Sequence, residues 1–254
     1  MIDTGTGSPI VLIPGVQGRW EWMSPAIDAL SRQHRVLSFS LGASADTSFD
    51  GWLHTIDALL DAAAEHKAGI VGVSFGGLIA ARYAAHRPER VSSLVLVSAP
   101  SPRWQPTRRD RVLLQHPRLA QPAFIARGCV RMVPEILAAK DTWRERVRFG
   151  WDYARRVLNA PISPSQMAHW IRQWLATDIV ADCKNIATPT LLMTGEPGLD
   201  RVVPVSSTLD YLGLIRGARH TVLPRTGHVG LVSKPAEFAA LIHAFIEAPY
   251  ARAS

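Results

Sequence analysis

Short uninterrupted runs of apolar residues alternate along this chain with longer segments in which apolar residues recur at helical spacing. The apolar runs predict buried strands at Ile10–Pro14, Arg35–Leu41, Ala68–Val73, Val91–Val97, Thr190–Thr194 and His220–Leu223. The helical spacing predicts helices at Ser24–Gln33, Phe49–Lys67, Leu78–His86 and Pro235–Ala248, and Met1–Thr4 is expected to form at most an edge strand. We therefore predict an α/β fold whose mostly parallel sheet is covered by helices on both faces.

One segment, Ser101–Lys184, breaks this alternation because it contains no convincing strand pattern. The segment is rich in arginine and holds five of the eight tryptophans. Stretches within it, such as Thr142–Leu158, have the spacing of amphipathic helices. We therefore predict a helical insertion over residues 101–184, between the two parts of an α/β core formed by residues 1–100 and 185–254.

A serine lies between two glycines in Gly72-Val73-Ser74-Phe75-Gly76, directly after a predicted strand and before a predicted helix. So sharp a strand-to-helix turn forces the serine into a strained backbone conformation that presents its hydroxyl above the sheet. Glycines flank it because a Cβ on either side would collide with the neighbouring strand or helix. An inert serine in a glycine-rich turn is the alternative, but the strand and helix around the motif favour a nucleophile at Ser74.

A serine nucleophile needs a base, and the base needs a partner that fixes its tautomer. His228 is the best candidate for the base, because it lies in a loop after the last predicted strand. The other histidines fall on or beside helices, at the start of a strand or in the insertion. Asp200, in the loop after the preceding strand, is the preferred acid, and Glu196 in the same loop is its rival.

The chain order Ser74, Asp200, His228, with the serine in a Gly-x-Ser-x-Gly turn, resembles the α/β-hydrolase fold family over essentially the whole chain. The resemblance implies hydrolysis of an ester, lactone or thioester through an acyl-enzyme on the serine. It also identifies the loop "IPGVQG" as the oxyanion loop, so that the backbone N–H groups of Val16 and Phe75 would bind the oxyanion. The family often has His-Gly in this loop, where the present chain has Pro-Gly.

The same resemblance implies that the insertion is a helical cap that lies over the active site and sets specificity. Its tryptophans suggest an aromatic-lined pocket, and Gln17, Trp104, Trp143 and Trp151 are the candidate substrate contacts. The competing interpretation is that most of these tryptophans pack the cap onto the core.

Several related activities stay open at this point. The serine excludes relatives that use an aspartate nucleophile, namely haloalkane dehalogenases and epoxide hydrolases. Carbon–carbon bond hydrolases and cofactor-free haloperoxidases share the outline of the resemblance, and a ligand-binding member of the fold without turnover is a further alternative. No cofactor or metal is implied.

The net charge of +7 is concentrated in the insertion, which holds 15 Lys and Arg against 7 Asp and Glu. Such a balance would suit a nucleic-acid-binding protein, but no nucleic-acid-binding motif accompanies it. We therefore expect a solvated, arginine-rich helical surface and a small-molecule substrate rather than a nucleic acid.

Length and residue usage indicate the cellular location of the protein. No apolar run is long enough to span a membrane, and the first residues lack the basic region of a signal peptide. Cys129 and Cys183 are far apart, which favours two reduced thiols over a disulfide or a zinc site. We expect a cytoplasmic protein, either monomeric or homodimeric.

Overall fold

The computed structural model describes residues 1–44, 46–117, 130–161 and 163–247 of the chain. Its strands are β1 (Ile2–Thr4), β2 (Pro9–Ile13), β3 (Arg35–Ser38), β4 (Ala68–Val73), β5 (Val91–Val97), β6 (Thr190–Thr194) and β7 (Arg219–Val222). They form one sheet in the order β1-β3-β2-β4-β5-β6-β7, in which β1 pairs antiparallel with β3 and every other pair is parallel. The predicted mostly parallel sheet and the predicted edge strand are both confirmed.

Helices cover both faces of this sheet. Those of the core are α1 (Ser24–Leu30), α2 (Phe49–Ala62), α3 (Phe75–His86), α9 (Val205–Leu209), α10 (Gly230–Ser233) and α11 (Pro235–Glu247). Those between β5 and β6 are α4 (Arg108–Gln115), α5 (residues 130–139), α6 (Trp143–Asn159), α7 (Pro164–Leu175) and α8 (Ile179–Lys184). The described residues of the predicted insertion contain helices and no strand. We call residues 101–184 the insertion below.

The core consists of two apolar layers, one on each face of the sheet. On one face, Trp52 of α2 and Tyr83 of α3 are fully buried against the sheet. On the other, Ile27 of α1 packs with Phe238 and Ile242 of α11. Strand β4 is buried along its whole length because both layers cover it, which explains its continuous apolar sequence.

Some element boundaries differ from the predicted ones for local reasons. Helix α2 ends five residues before Lys67, because Ala64 adopts a left-handed conformation with a φ of 55°. Strand β3 ends at Ser38, because Leu41–Ala43 turn into a short 3₁₀ helix. Helix α3 begins at Phe75 rather than Leu78, directly after the serine of the Gly-x-Ser-x-Gly motif.

Two further sequence expectations concern cysteines and membranes. Cys183 is a buried free thiol, and burial raises its pKa to about 12, whereas Cys129 lies outside the described residues. Across the described ranges, the structure contains no helix with the length and apolar character needed to cross a bilayer.

Candidate active site

Ser74 occupies the turn between β4 and α3 in a conformation that few serines adopt. Its φ is 52° and its ψ is −122°. The turn is held by two backbone hydrogen bonds of 2.8 Å, from the Ser74 N–H to the Val97 carbonyl and from the Gly77 N–H to the Ser74 carbonyl. Serine is a preferred N-cap residue, yet the Ser74 hydroxyl makes no capping hydrogen bond to α3. The hydroxyl is therefore not used to stabilise its own helix.

The glycine of the motif that follows the serine is required by close packing of the backbone. A Cβ on Gly76 would lie 2.5 Å from the carbonyl oxygens of both Ile13 and Pro14. These carbonyls belong to the end of β2 and to the loop that follows it, so the start of α3 rests directly on that loop. The sequence Gly-x-Ser-x-Gly thus folds as a sharp turn because no side chain separates α3 from β2.

Backbone strain concentrates at the carboxyl edge of the sheet. Of the four non-glycine residues with positive φ among those described, Ser74, Ser98 and Arg225 follow β4, β5 and β7 respectively. Strained residues of this kind persist where the surrounding structure holds them, and they cluster at functional sites. The carboxyl ends of parallel strands are also where open α/β sheets bind ligands.

Asp200 and His228 meet at the same edge, from the loops that follow β6 and β7. The Nδ1 atom of His228 lies 3.4 Å from Oδ2 of Asp200, and both residues are buried. The other carboxylate oxygen, Oδ1, accepts hydrogen bonds from the backbone N–H groups of Val202 (3.2 Å) and Val203 (3.0 Å). Asp200 is therefore fixed by its own loop and faces the imidazole.

The electrostatics of Asp200 favour its ionised form. Burial alone would raise the pKa of this carboxyl group, but the hydrogen bond and the charge of His228 outweigh it, with help from the Val203 amide and the Ser98 side chain. The result is a pKa below the usual value. A buried carboxylate that stays charged can hold an imidazole in one tautomer and stabilise its protonated form.

The loops that carry these two residues are packed without side chains between them. A Cβ on Gly227 would lie 2.5 Å from the carbonyl oxygen of Leu199 and 2.9 Å from the backbone nitrogen of Asp200. The Glu196 N–H donates to the Thr226 carbonyl at 2.8 Å. The acid and the histidine are thus brought together by direct contact of their backbones.

Glu196, the rival acid, binds a backbone amide rather than the histidine. Its Oε1 atom accepts a hydrogen bond of 2.7 Å from the backbone N–H of Arg225, and it makes no hydrogen bond to His228. Of the two carboxylates in this loop, the structure brings Asp200 to the imidazole.

The loop after β2 lies beside the serine. The Gly18 N–H donates to the Gly15 carbonyl at 2.8 Å, so Val16 and Gln17 are the central residues of a tight turn. A Cβ on Gly15 would lie 3.3 Å from Cβ of Ser74 and 2.9 Å from Oε1 of Gln17. The side chain of Gln17 and the predicted nucleophile therefore flank the same glycine.

Phe75 is the first residue of α3, so its N–H has no carbonyl partner within the helix. Its ring is buried in an aromatic cluster with Phe49, Trp52 and Trp174, at centroid distances of 5.8 to 6.5 Å. This packing fixes the start of α3, and with it the N–H group next to the serine.

Tryptophans of α7 pack the insertion onto the core. Trp170 meets Trp52 edge to face at a centroid distance of 5.8 Å, and Trp174 does the same with Phe75 at 6.5 Å. A Cβ on Gly18 would lie 2.5 Å from the Trp170 ring, so this ring also rests against the loop after β2. The insertion thereby contacts the loop after β2 and the first residue of α3, which directly follows the serine.

The remaining tryptophans of the insertion are one in the segment after β5 and two on α6. Trp104 stacks on Trp174 at 5.0 Å and lines a surface cavity of about 320 Å³ whose lining contains none of the three predicted catalytic residues. Trp143 and Trp151 are 67% and 69% exposed on α6. Phe149 and Tyr153 of the same helix turn inward instead and stack on each other.

Glu135 is a residue near the site that the sequence analysis missed. It lies in α5 of the insertion, is 1% exposed, and places both carboxylate oxygens 3.0 and 3.1 Å from the backbone N–H of Val229. Val229 directly follows His228. A glutamate in an amphipathic helix is normally solvated, and Glu135 and Val229 are separated by 94 positions in the sequence, so no local sequence signal predicts this contact.

Among the described residues, one group of side chains could hold a metal ion, and it is remote from the serine. His34, His243 and Glu247 each offer a ligand atom, and these atoms lie within 4.8 Å of one another. His34 precedes β3, so it lies at the amino edge of the parallel strands, opposite the edge that carries Ser74.

A sequence profile of the alpha/beta hydrolase fold matches residues 8–235, which include the serine turn, the insertion and the Asp200–His228 pair. The chain belongs to the α/β-hydrolase fold family. This agrees with the strand order, the helical insertion after β5 and the placement of the predicted residues at the carboxyl edge of the sheet.

Individual members of the α/β-hydrolase family similar to this chain carry different activities in their names. The chain is 26% identical to a 2-hydroxy-6-oxo-2,4-heptadienoate hydrolase of Pseudomonas putida, over 97% of this chain and 91% of that protein. It is 27% identical to a pimeloyl-[acyl-carrier protein] methyl ester esterase of Aliivibrio salmonicida, over 96% of this chain and 94% of that protein. A solved structure of a hydrolase from Pseudomonas aeruginosa shares the fold, with a TM-score of 0.77 and 21% identity over 97% of this chain and 93% of that one.

Proposed function

We propose that the protein is a serine hydrolase that cleaves a carboxylic ester, lactone or thioester of a small molecule through an acyl-enzyme on Ser74. The observation that carries the proposal is the position of this serine. Its hydroxyl does not cap α3, its φ is 52°, and it lies at the sheet edge where a buried Asp200–His228 pair also lies. Strain at this residue is accounted for by a need to present the hydroxyl.

In the proposed reaction, His228 takes the proton from the Ser74 hydroxyl as the oxygen attacks the substrate carbonyl. Asp200 stabilises the imidazolium that forms, which its lowered pKa supports. His228 then gives the proton to the leaving group. Water, activated by the same histidine, releases the acyl group and restores the serine.

The oxyanion that forms during attack is assigned to the backbone N–H groups of Val16 and Phe75. Support comes from the tight turn that centres on Val16 beside Ser74, and from the position of Phe75 at the start of α3. The helix N-terminus adds a favourable dipole. Gln17 remains a candidate substrate contact, because its side chain borders the same glycine as the serine.

The insertion is proposed to act as the cap that shapes the substrate site. The contacts of Trp170 with Gly18 and of Trp174 with Phe75 support this role, because they join the insertion to the loop after β2 and to the residue that follows Ser74. Trp143 and Trp151 are weak candidates for substrate contacts, because their side chains are mostly exposed on α6.

Cleavage of a carbon–carbon bond on the same residues is the second candidate. It is favoured by the similarity to the 2-hydroxy-6-oxo-2,4-heptadienoate hydrolase, whose named substrate contains a ketone and no ester. The esterase and the carbon–carbon hydrolase would share the serine, the histidine and the acid, so these residues do not separate the two activities.

An assay with two kinds of substrate tests the proposal. The purified protein is offered p-nitrophenyl esters of increasing chain length and, separately, 2-hydroxy-6-oxo-2,4-heptadienoate. We expect turnover of an ester and a mass increase equal to its acyl group on the peptide that contains Ser74. Ser98→Ala is the comparison variant, because Ser98 is the other positive-φ serine at this edge among the described residues. Its side chain supports Asp200, so acylation of Ser74 should be slower in this variant but should still occur.

Each outcome of this assay has a distinct meaning. Turnover of the dienoate alone would replace the esterase proposal with the carbon–carbon candidate. Acylation that survives in Ser74→Ala but disappears in Ser98→Ala would show that Ser98, and not Ser74, is the nucleophile. Both hydrolytic proposals would be overturned if the folded protein hydrolyses none of these substrates and is acylated by none of them.

A further inference from the structure

The backbone on both sides of His228 is held by one buried carboxylate from the insertion. Glu135 accepts a hydrogen bond from the N–H of Val229, and the N–H of Gly227 contributes a second interaction. Gly227 and Val229 are the immediate neighbours of His228 in sequence. A side chain that binds both of these amides limits rotation of the backbone that carries the imidazole.

We call the segment from Arg225 to Ser233, which carries His228, the histidine loop. The same end of α5 is attached to it at three other points. Lys140 donates to the Ser233 carbonyl. Arg225 donates to the Ala138 carbonyl at 2.9 Å and pairs with Asp141. The last turn of α5 and the two residues that follow it therefore lie along the segment from Arg225 to Ser233, and Glu135 binds the two amides next to His228.

The position of the Glu135 carboxylate is costly for folding. It is 1% exposed, and burial raises its pKa to about 7, although the amides of Val229 and Gly227 and the charge of His228 act to lower it. The charge of Asp200 opposes ionisation from the other side. Among the described residues, the hydrogen-bond partners of this buried acid are amides that flank a predicted catalytic base, which is difficult to explain as a contribution to stability.

We propose that Glu135 is a positioning residue that holds His228 in its working orientation and makes the activity depend on docking of the insertion onto the histidine loop. This inference rests on the proposed function of Ser74 and His228. It extends that function, because it assigns a residue of the insertion to support of the base rather than to substrate contact. When ionised, Glu135 also places a second negative charge near the imidazolium that forms during attack.

The test compares Glu135→Gln with wild type, using an ester that the wild type hydrolyses. The amide keeps the length of the side chain but removes its charge. We expect kcat to fall about 10- to 100-fold with KM changed less, as for a misplaced catalytic group. The ratio of wild-type to variant kcat should increase with pH through about 7, because below this pH the wild-type side chain is protonated and resembles glutamine.

Two further variants separate positioning from folding. Arg131→Gln removes a charge from an exposed side chain of the same helix and should leave kcat and its pH profile unchanged. Glu135→Asp keeps the charge and should recover part of the loss. Near-ultraviolet circular dichroism of each variant establishes that it is folded before its rates are compared.

Three results would overturn this inference while leaving the proposed function intact. They are a wild-type kcat in Glu135→Gln, an equal loss in Arg131→Gln, and a loss confined to KM with no change of the pH profile. If Glu135→Gln does not fold, the test passes to Glu135→Asp, which should show a smaller loss in kcat at unchanged KM. Wild-type kinetics in Glu135→Asp would then overturn the inference. A wild type that hydrolyses no substrate and is not acylated on Ser74 contradicts the proposed function itself.

Discussion

At the scale of single residues, each of the three predicted catalytic residues is fixed by hydrogen bonds to groups outside the trio, in addition to the contact between Asp200 and His228. Ser74 is fixed by hydrogen bonds to Val97 and Gly77, and Asp200 by the amides of Val202 and Val203. The amides that flank His228 are bound by Glu135. Such positioning lowers the entropic cost of bringing the groups into a reactive arrangement.

The substitution Asp200→Asn tests the role of the buried acid. The asparagine oxygen can still accept from the amide of Val203, but its NH₂ group cannot accept a hydrogen bond from the Nδ1–H of His228, so the imidazole is no longer held in the working tautomer. We expect kcat for an ester to fall by about 10⁴-fold, with little change in folding. Glu196→Gln is the matched control from the same loop, and a comparable loss there would contradict the assignment of Asp200.

The buried carboxyl of Glu135 predicts an unusual dependence of stability on pH. Its pKa is about 7 in the folded protein against an ordinary value of 4.5, so between these values the folded state keeps a proton that the unfolded state loses. Stability should therefore fall by up to about 3 kcal/mol as the pH rises from 4.5 to 7. Glu135→Gln lacks this titration.

Urea denaturation of both proteins at several pH values measures the effect. The free energy of unfolding of the glutamine variant, relative to wild type, should rise from pH 5 to about 7 and then level off. A constant difference across this range would show that Glu135 does not titrate near neutrality.

The residues of the site differ in how far the sequence could predict them. Ser74 carries a local signal, because its flanking glycines lie between a strand pattern and a helix pattern. His228 and Asp200 follow from their position after strands. The contact of Asp200 with His228, and that of Glu135 with Val229, depends on the meeting of distant backbones, which one sequence does not encode locally.

At the scale of elements, the serine turn depends on how closely α3 approaches the end of β2. The start of this helix lies on the carbonyls of Ile13 and Pro14 with no space for a side chain at Gly76. The loop after β2 is the one assigned to oxyanion binding. Displacement of α3 would therefore change the serine and this loop together.

A pair of glycine substitutions tests this packing. Gly76→Ala places a methyl group 2.5 Å from two carbonyl oxygens and should reduce the free energy of unfolding by about 1–3 kcal/mol, with a larger loss of activity. Gly150→Ala lies in the exposed middle of α6, where the added carbon would point into open space, and should stabilise the protein by about 0.5–1 kcal/mol. Equal effects at the two sites would contradict the close-packing account.

The boundaries of elements were less predictable than their existence. The sequence pattern identifies α2, but it does not show that Ala64 adopts a left-handed conformation that ends the helix early. In α6, amphipathic spacing predicts the helix, but not that Phe149 and Tyr153 face inward while Trp143 and Trp151 face solvent. Which side chains of α6 face inward depends on the surface on which the helix packs.

At the scale of the whole molecule, the uneven charge has a structural explanation. Arg146 donates to the carbonyls of Lys140 and Leu137 at the end of α5, and Arg172 donates to that of Leu114 in the last turn of α4. These arginines satisfy carbonyls that helix ends leave without partners. Part of the positive charge of the insertion therefore lies on arginines that cap the carboxyl ends of its own helices.

We accordingly predict that the protein does not bind nucleic acid at physiological salt. Fluorescence anisotropy of a labelled DNA duplex should show no saturable binding at about 150 mM salt. Binding that is tight at this concentration and falls steeply with added salt would contradict the prediction and point to a second role for the insertion.

The most direct test of the central claim is labelling with a fluorophosphonate probe, which reacts with an activated serine whatever the natural substrate. We predict that the wild-type protein is labelled on Ser74 and that labelling disappears in folded Ser74→Ala and falls strongly in His228→Ala. Undiminished labelling of Ser74→Ala, or no labelling of the folded wild type, would contradict the claim that Ser74 is an activated nucleophile.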